Sequence, residues 1–136
     1  GPALDLVIAQ RLVRRICPDC AKKVAVSPEH KAILEKEIAD ISKVTGEKHE
    51  LPSELFQAVG CDNCSHTGYH GQIGLYEVLD INKEIQRMIM QEKPPVDIYE
   101  YARQQGMLSL REDGVLKILA GKTTIEEVLR VTADSD

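Results

Sequence analysis

A chain of 136 residues with 43% hydrophobic side chains and no tryptophan is long enough for one medium domain or two small ones. Its formal charge of −5 is lopsided: residues 1–25 carry five lysines and arginines against two aspartates, a net of +3, which leaves −8 over the rest. Aromatic residues at 4% and an acidic remainder argue against nucleic-acid binding, which needs a broad basic face with stacking rings, and no apolar run approaches the ~20 residues that cross a bilayer.

Gly1-Pro2 reads as the scar of a protease-cleaved tag, so the chain is expected to be a piece of a longer parent. Residues 4–16 read as a helix, because Leu4, Val7, Ile8, Leu12 and Ile16 recur near a 3.6-residue period with Arg11, Arg14 and Arg15 opposite. Pro18 ends it. Ser27-Pro28-Glu29 is a helix start, with serine as N-cap and proline in the first turn. Leu34, Ile38 and Ile41 give that helix one apolar face, and Gly46 stops it. Residues 55–59 are ambiguous between strand and helix. Gly68, Gly71 and Gly74 exclude a helix and permit tight turns, and residues 75–81 alternate as a strand. Beyond Asn82 the pattern becomes helical. Asn82 caps a helix with Ile85, Met88 and Ile89 on its face, and Val96, Tyr99 and Ala102 mark a second. Ser109 with Glu112, and Thr124 with Glu127, have capping-box spacing and open two more. The expected fold is α+β and mostly helical. A cysteine-bearing domain over 3–80, with an inserted helical arm at 21–60 that projects from it, precedes an all-helical domain over 81–136.

The chemistry lies in Cys17-Pro18-Asp19-Cys20 and Cys61-Asp62-Asn63-Cys64, which use all four cysteines. A two-residue spacer lets both sulfurs of a pair face one ion, and two pairs supply the four thiolates of a structural zinc site. The 40 residues between the pairs exceed the usual ribbon spacing of roughly 15–20, hence the inserted arm. Two disulfides are the alternative, which fits poorly in a chain without a secretory signal. A thiol oxidoreductase would carry a single Cys-x-x-Cys in a βαβ pattern, not two mutually ligating pairs. His66 and His70 lie close enough in sequence to replace a cysteine, but four thiolates already fill a tetrahedral shell. That shell leaves a net charge near −2, which gives the neighbouring cations an electrostatic role.

No catalytic constellation emerges. Gly121-Lys122-Thr123 has Leu116 where a phosphate-binding loop needs its first glycine, and a helix precedes it, so it reads as a helix end followed by a helix start. Glu77 has no partner acid or base nearby in sequence and reads as a salt-bridge or surface residue.

Three stretches together resemble one family: Ala9–Cys20, Gly60–Glu77, and Ser109–Gly114 continuing through Ala120–Val131. They are similar to the C-terminal region of the ATPases that power type II secretion and type IV pilus assembly. The resemblance implies a parent that is a cytoplasmic hexameric ring, peripheral to the inner membrane. Its RecA-like core, with ATP and Mg²⁺, would lie before residue 3, and it would act on an inner-membrane platform protein. Cys17, Cys20, Cys61 and Cys64 carry over as zinc ligands, with no catalytic residue here and no enzymatic activity expected of this stretch alone. Gln72 departs from the family, which commonly has arginine there. A free-standing zinc ribbon that binds protein or nucleic acid is the alternative, and the acidic remainder argues against it.

Overall fold

The computed structural model describes residues 6–133; Gly1-Pro2 and Leu4 lie outside them. A long antiparallel ribbon pairs β1 (Leu6–Ile16) with β4 (Tyr69–Asp80), from Leu6 opposite Asp80 to Ile16 opposite Tyr69. Where a helix is expected over 4–16, the described part of the segment, Leu6–Ile16, is therefore a strand. Leu6, Val7 and Ile8 are apolar in succession because both faces of the ribbon are apolar, and this erases the two-residue alternation that marks a strand. β4 is also longer than the expected strand, because it takes in the glycine stretch from Tyr69 onward.

Between the cysteine pairs the chain runs β2 (Lys22–Ala25), α1 (Pro28–Thr45) and β3 (Glu54–Gln57), with β2 and β3 paired antiparallel. α1 starts and stops as expected. The Ser27 hydroxyl accepts the His30 N–H at 3.2 Å, and Gly46 takes the left-handed conformation at φ 74°. The helix does not project, however. Leu34, Ile38 and Ile41 are buried in the main core, because α1 lies against α4 (Leu110–Leu119). The arm is thus a docked helix whose ends are zipped together by two short strands.

After β4 come α2 (Lys83–Met90), α3 (Pro95–Gln104), α4 and α5 (Ile125–Thr132). Asn82 caps α2 by accepting the Ile85 N–H at 2.9 Å. Ser109 and Glu112 form the expected capping box, and the Glu112 carboxylate is also gripped by both terminal nitrogens of Arg103. Of the apolar faces expected for α2 and α3, Ile85, Met88 and Ala102 are buried, whereas Ile89, Val96 and Tyr99 are exposed. One core joins Val13 and Leu75 of the ribbon, the inner face of α1, and Leu110, Val115, Ile118, Ile125 and Val128 of the last two helices. This core crosses the sequence position 80/81.

Candidate metal centre

The four cysteines sit where the two ribbons meet. Cys17 follows the last residue of β1, and Cys20 lies two residues before β2. Cys61 and Cys64 come after β3, and Gly68 directly precedes β4. Pairing of β1 with β4 and of β2 with β3 therefore closes the 40-residue loop from both sides, and the backbone carries the closure entropy. The second pair is shaped by a single 3-10 turn, Asp62–Cys64, after which Ser65 and His66 adopt left-handed backbone at φ 56° and 63°. The Asn63 side-chain amide donates to Asp19 Oδ2 at 3.1 Å and links the tips of the two pairs.

All four sulfurs lie within 4.8 Å of one another. Cys17–Cys61 and Cys20–Cys64 are each 3.8 Å apart and Cys61–Cys64 is 3.7 Å. Zn–S bonds of about 2.3 Å at tetrahedral angles require sulfur separations of about 3.8 Å. A disulfide would need about 2.05 Å, and all four cysteines are free. The donor set thus fits a tetrahedral thiolate ion such as zinc.

Backbone amides aim at the sulfurs: Gly60 N–H at Cys20 (3.3 Å), Cys61 N–H at Cys64 (3.2 Å) and Gly68 N–H at Cys64 (3.2 Å). Gly68 must be glycine on two counts. Its φ is +83°, and a Cβ would lie 2.6 Å from the Ala58 Cβ and 3.0 Å from neighbouring backbone. Burial pushes the Cys17 thiol up and Cys61 up to about 12. Burial opposes ionisation of Cys64 too, but the Cys61 and Gly68 amides and the adjoining thiols outweigh it and bring this group down to about 6. Without an ion, Cys17 and Cys61 therefore stay protonated, and a bound 2+ ion is what makes a full thiolate set favourable.

The two histidines are elsewhere. His66 pairs with Asp62 at 3.0 Å, both exposed, and His70 is an exposed residue of β4. Glu77 accepts the Leu110 N–H at 3.3 Å, which helps start α4. Gly121-Lys122-Thr123 is the turn between α4 and α5, and it docks on the end of β1. The Ile16 N–H donates to the Lys122 carbonyl at 3.0 Å, and the Thr123 hydroxyl donates to the Arg14 carbonyl at 2.8 Å. It forms there because β1 shifts register between Arg14 and Ile16, which frees backbone groups for an outside partner.

A buried carboxylate ties this junction to α5. Thr124 caps α5 by accepting the Glu127 N–H, but the Glu127 side chain does not return to the cap as the expected box requires. It takes the Arg14 backbone N–H at 2.8 Å and the Arg14 guanidinium at 2.9 Å, and Arg130 grips it from the other side. Arg14 stacks 4.2 Å from the Tyr69 ring centre, and the Tyr69 hydroxyl bonds Thr124 at 2.8 Å. Burial alone would raise the Glu127 carboxyl, yet the two arginines and the amide hold it at about 2. A contact across 113 residues leaves no local signal in the sequence.

The profile of the family described as Type II/IV secretion system protein matches residues 2–130. The type IV pilus assembly ATPase PilB of Pseudomonas aeruginosa is 38% identical over 97% of this chain, and PilB of Thermus thermophilus is 39% identical over 97%. The type II secretion system ATPase E of Vibrio cholerae is 34% identical over 95%. The chain spans 22%, 14% and 23% of these three relatives' own lengths. With residues 2–130 of its 136 matched by that family, the chain belongs to the type II/IV secretion system protein family.

Proposed function

We propose that this chain is the zinc-binding C-terminal region of a hexameric ATPase that powers type IV pilus assembly or type II protein secretion, and that Cys17, Cys20, Cys61 and Cys64 hold one zinc. The observation that carries the metal is the clustering of all four sulfurs within 4.8 Å, with three of the pairs at 3.7–3.8 Å, the edge length of a tetrahedral zinc–thiolate site. A closed four-thiolate shell has no open position for a substrate, so the ion works as a fastener. It locks the β1–β4 ribbon to the β2–α1–β3 insert, and through Arg14, Tyr69 and Glu127 that lock reaches α5.

Nucleotide chemistry, with its ATP and Mg²⁺, belongs to the RecA-like core outside this chain, because Gly121-Lys122-Thr123 is committed to docking on β1. One face of the ribbon, with Leu6, Ile8, Leu12, Tyr76 and Val78 exposed by 42–55%, offers the apolar surface on which that core would rest. The parent would be cytoplasmic and would reach the inner membrane through a platform protein. No helix among the described residues is long and apolar enough to cross a membrane.

The test has two arms. Elemental analysis of natively purified chain should give one zinc per chain. In a deletion strain, the full-length parent with Cys17→Ser should fail to restore piliation or secretion, while nucleotide binding by its core persists. Metal-free native protein, or normal assembly with all four cysteines changed to serine, would overturn the reading.

A further inference from the structure

Most arginines of this chain are spent on internal partners: Arg14 and Arg130 on Glu127, Arg87 on Glu84, and Arg103 on Glu112. Arg15 and Lys122 are not. Both are exposed, and neither has an ion-pair or hydrogen-bond partner for its side chain among the described residues. They line the same open groove of about 740 Å³ between the end of β1, the start of β4 and the α4–α5 turn. Apolar surface from Phe56 and Ala120 lies beside them, and His70 also lines the groove. The one carboxylate in the lining, Asp19, is engaged by Asn63. Lys122 is pre-set, because its own carbonyl and the following Thr123 hydroxyl are both tied to β1. Two unpaired cations that line one amphipathic groove offer a surface complementary to an acidic partner that also carries apolar side chains.

The opposite surface is on the same molecule. At the α2–α3 corner, Glu92, Asp97 and Glu100 are exposed with no partner among the described residues. Ile89, Met90 and Val96 beside them are exposed by 51%, 84% and 59%. Lys93 is the one cation between them, so the corner stays acidic. The corner packs at the far end of the ribbon, where Pro95 and Tyr99 share a cleft with Val7 and Leu79. At about 3.4 Å per residue, that end is ~30 Å from the groove at Ile16 and Tyr69. One molecule therefore cannot bring its own corner into its own groove.

We infer that the groove lined by Arg15 and Lys122 receives the acidic α2–α3 corner of a second copy of this chain. Opposite charge and apolar surface occur together on both patches, and the two patches differ, so the contact is head-to-tail and propagates around a ring or along a filament. It is smaller than a standard interface, so it is weak in isolation and strengthens where copies are held side by side. The inference adds a pair of surfaces to the proposed ring but does not depend on the motor function, and its failure would leave the zinc and motor readings untouched.

The test is sedimentation of the zinc-loaded 136-residue chain at rising concentration in low salt. Weight-average mass should rise with concentration and fall back when salt is added. Arg15→Glu with Lys122→Glu, and separately Asp97→Lys with Glu100→Lys, should each weaken association by roughly tenfold or more. Mixing the two charge-reversed variants should restore it, because each then offers the other a complementary pair, and that restoration also shows that both are folded. A wild-type chain that stays monomeric at millimolar concentration would overturn the contact. So would association indifferent to both reversals, or two weakened variants that fail to recover when mixed.

Discussion

Among single residues, Glu127 concentrates the most consequence. Its carboxylate is 3% exposed and meets two arginines and a backbone amide, which is why it ionises near pH 2 and not in the usual carboxylate range. A carboxyl whose folded value is depressed contributes stability that is fully present above its unfolded value of about 4.5, and that contribution is lost as pH falls toward 2. Glu127→Gln removes the charge but keeps the shape. It should cost about 1–3 kcal/mol at neutral pH, because both arginines remain half-exposed and solvated when they lose their partner. The difference in stability between wild type and variant should shrink as pH is lowered from 5 to 3, measured by urea unfolding at each pH. A constant difference across that range would show that Glu127 acts by packing alone. The four cysteines could be read from their spacing, but Glu127 could not. Its sequence environment announces a capping box, and the competing attraction of Arg14 becomes available only when the chain has folded back on itself.

The clearest lesson among the elements is α1. Its N-cap, proline and C-terminal glycine sit where local chemistry puts them, and Leu34, Ile38 and Ile41 lie on one face as their spacing requires. What that face touches is a separate matter: it is α4, not solvent and not a partner. Leu34→Ala should therefore destabilise the chain by about 2–5 kcal/mol, the cost of a cavity in a packed core. Lys31→Ala on the outer face should stay within about 0.5 kcal/mol. Thermal unfolding of both variants checks this, and a Leu34→Ala change as mild as Lys31→Ala would mean that α1 is loosely attached after all. The β1 segment shows the converse limit. Apolar residues that cover both faces of a strand lose their two-residue period, and a run such as Leu4 to Ile16 can then imitate a helix.

For the whole molecule, the decisive feature is a single core shared by the ribbon, α1, α4 and α5. Stripping the ion with a chelator frees the junction between the two ribbons, and Ile16 and Tyr69 bind the α4–α5 turn and α5 cap directly. Amide exchange should then rise in α4 and α5 as well as around the cysteines, because all rest on the same buried side chains. Protection retained in α4 and α5 after stripping would instead support independent folding of 81–136. By itself, the sequence determined the helix caps, the turn glycines, the thiol set and the family, since each depends on residues within a few positions of one another or on a spacing that survives any fold. Tertiary structure alone decided that the first segment is a strand, that the inserted helix is docked, and that Glu127 joins β1 to α5. Those outcomes depend on which distant surfaces exclude water from each other and which buried charges then find partners. Contacts made across 50 to 113 residues are chosen by the packed whole and leave no periodic trace along the chain.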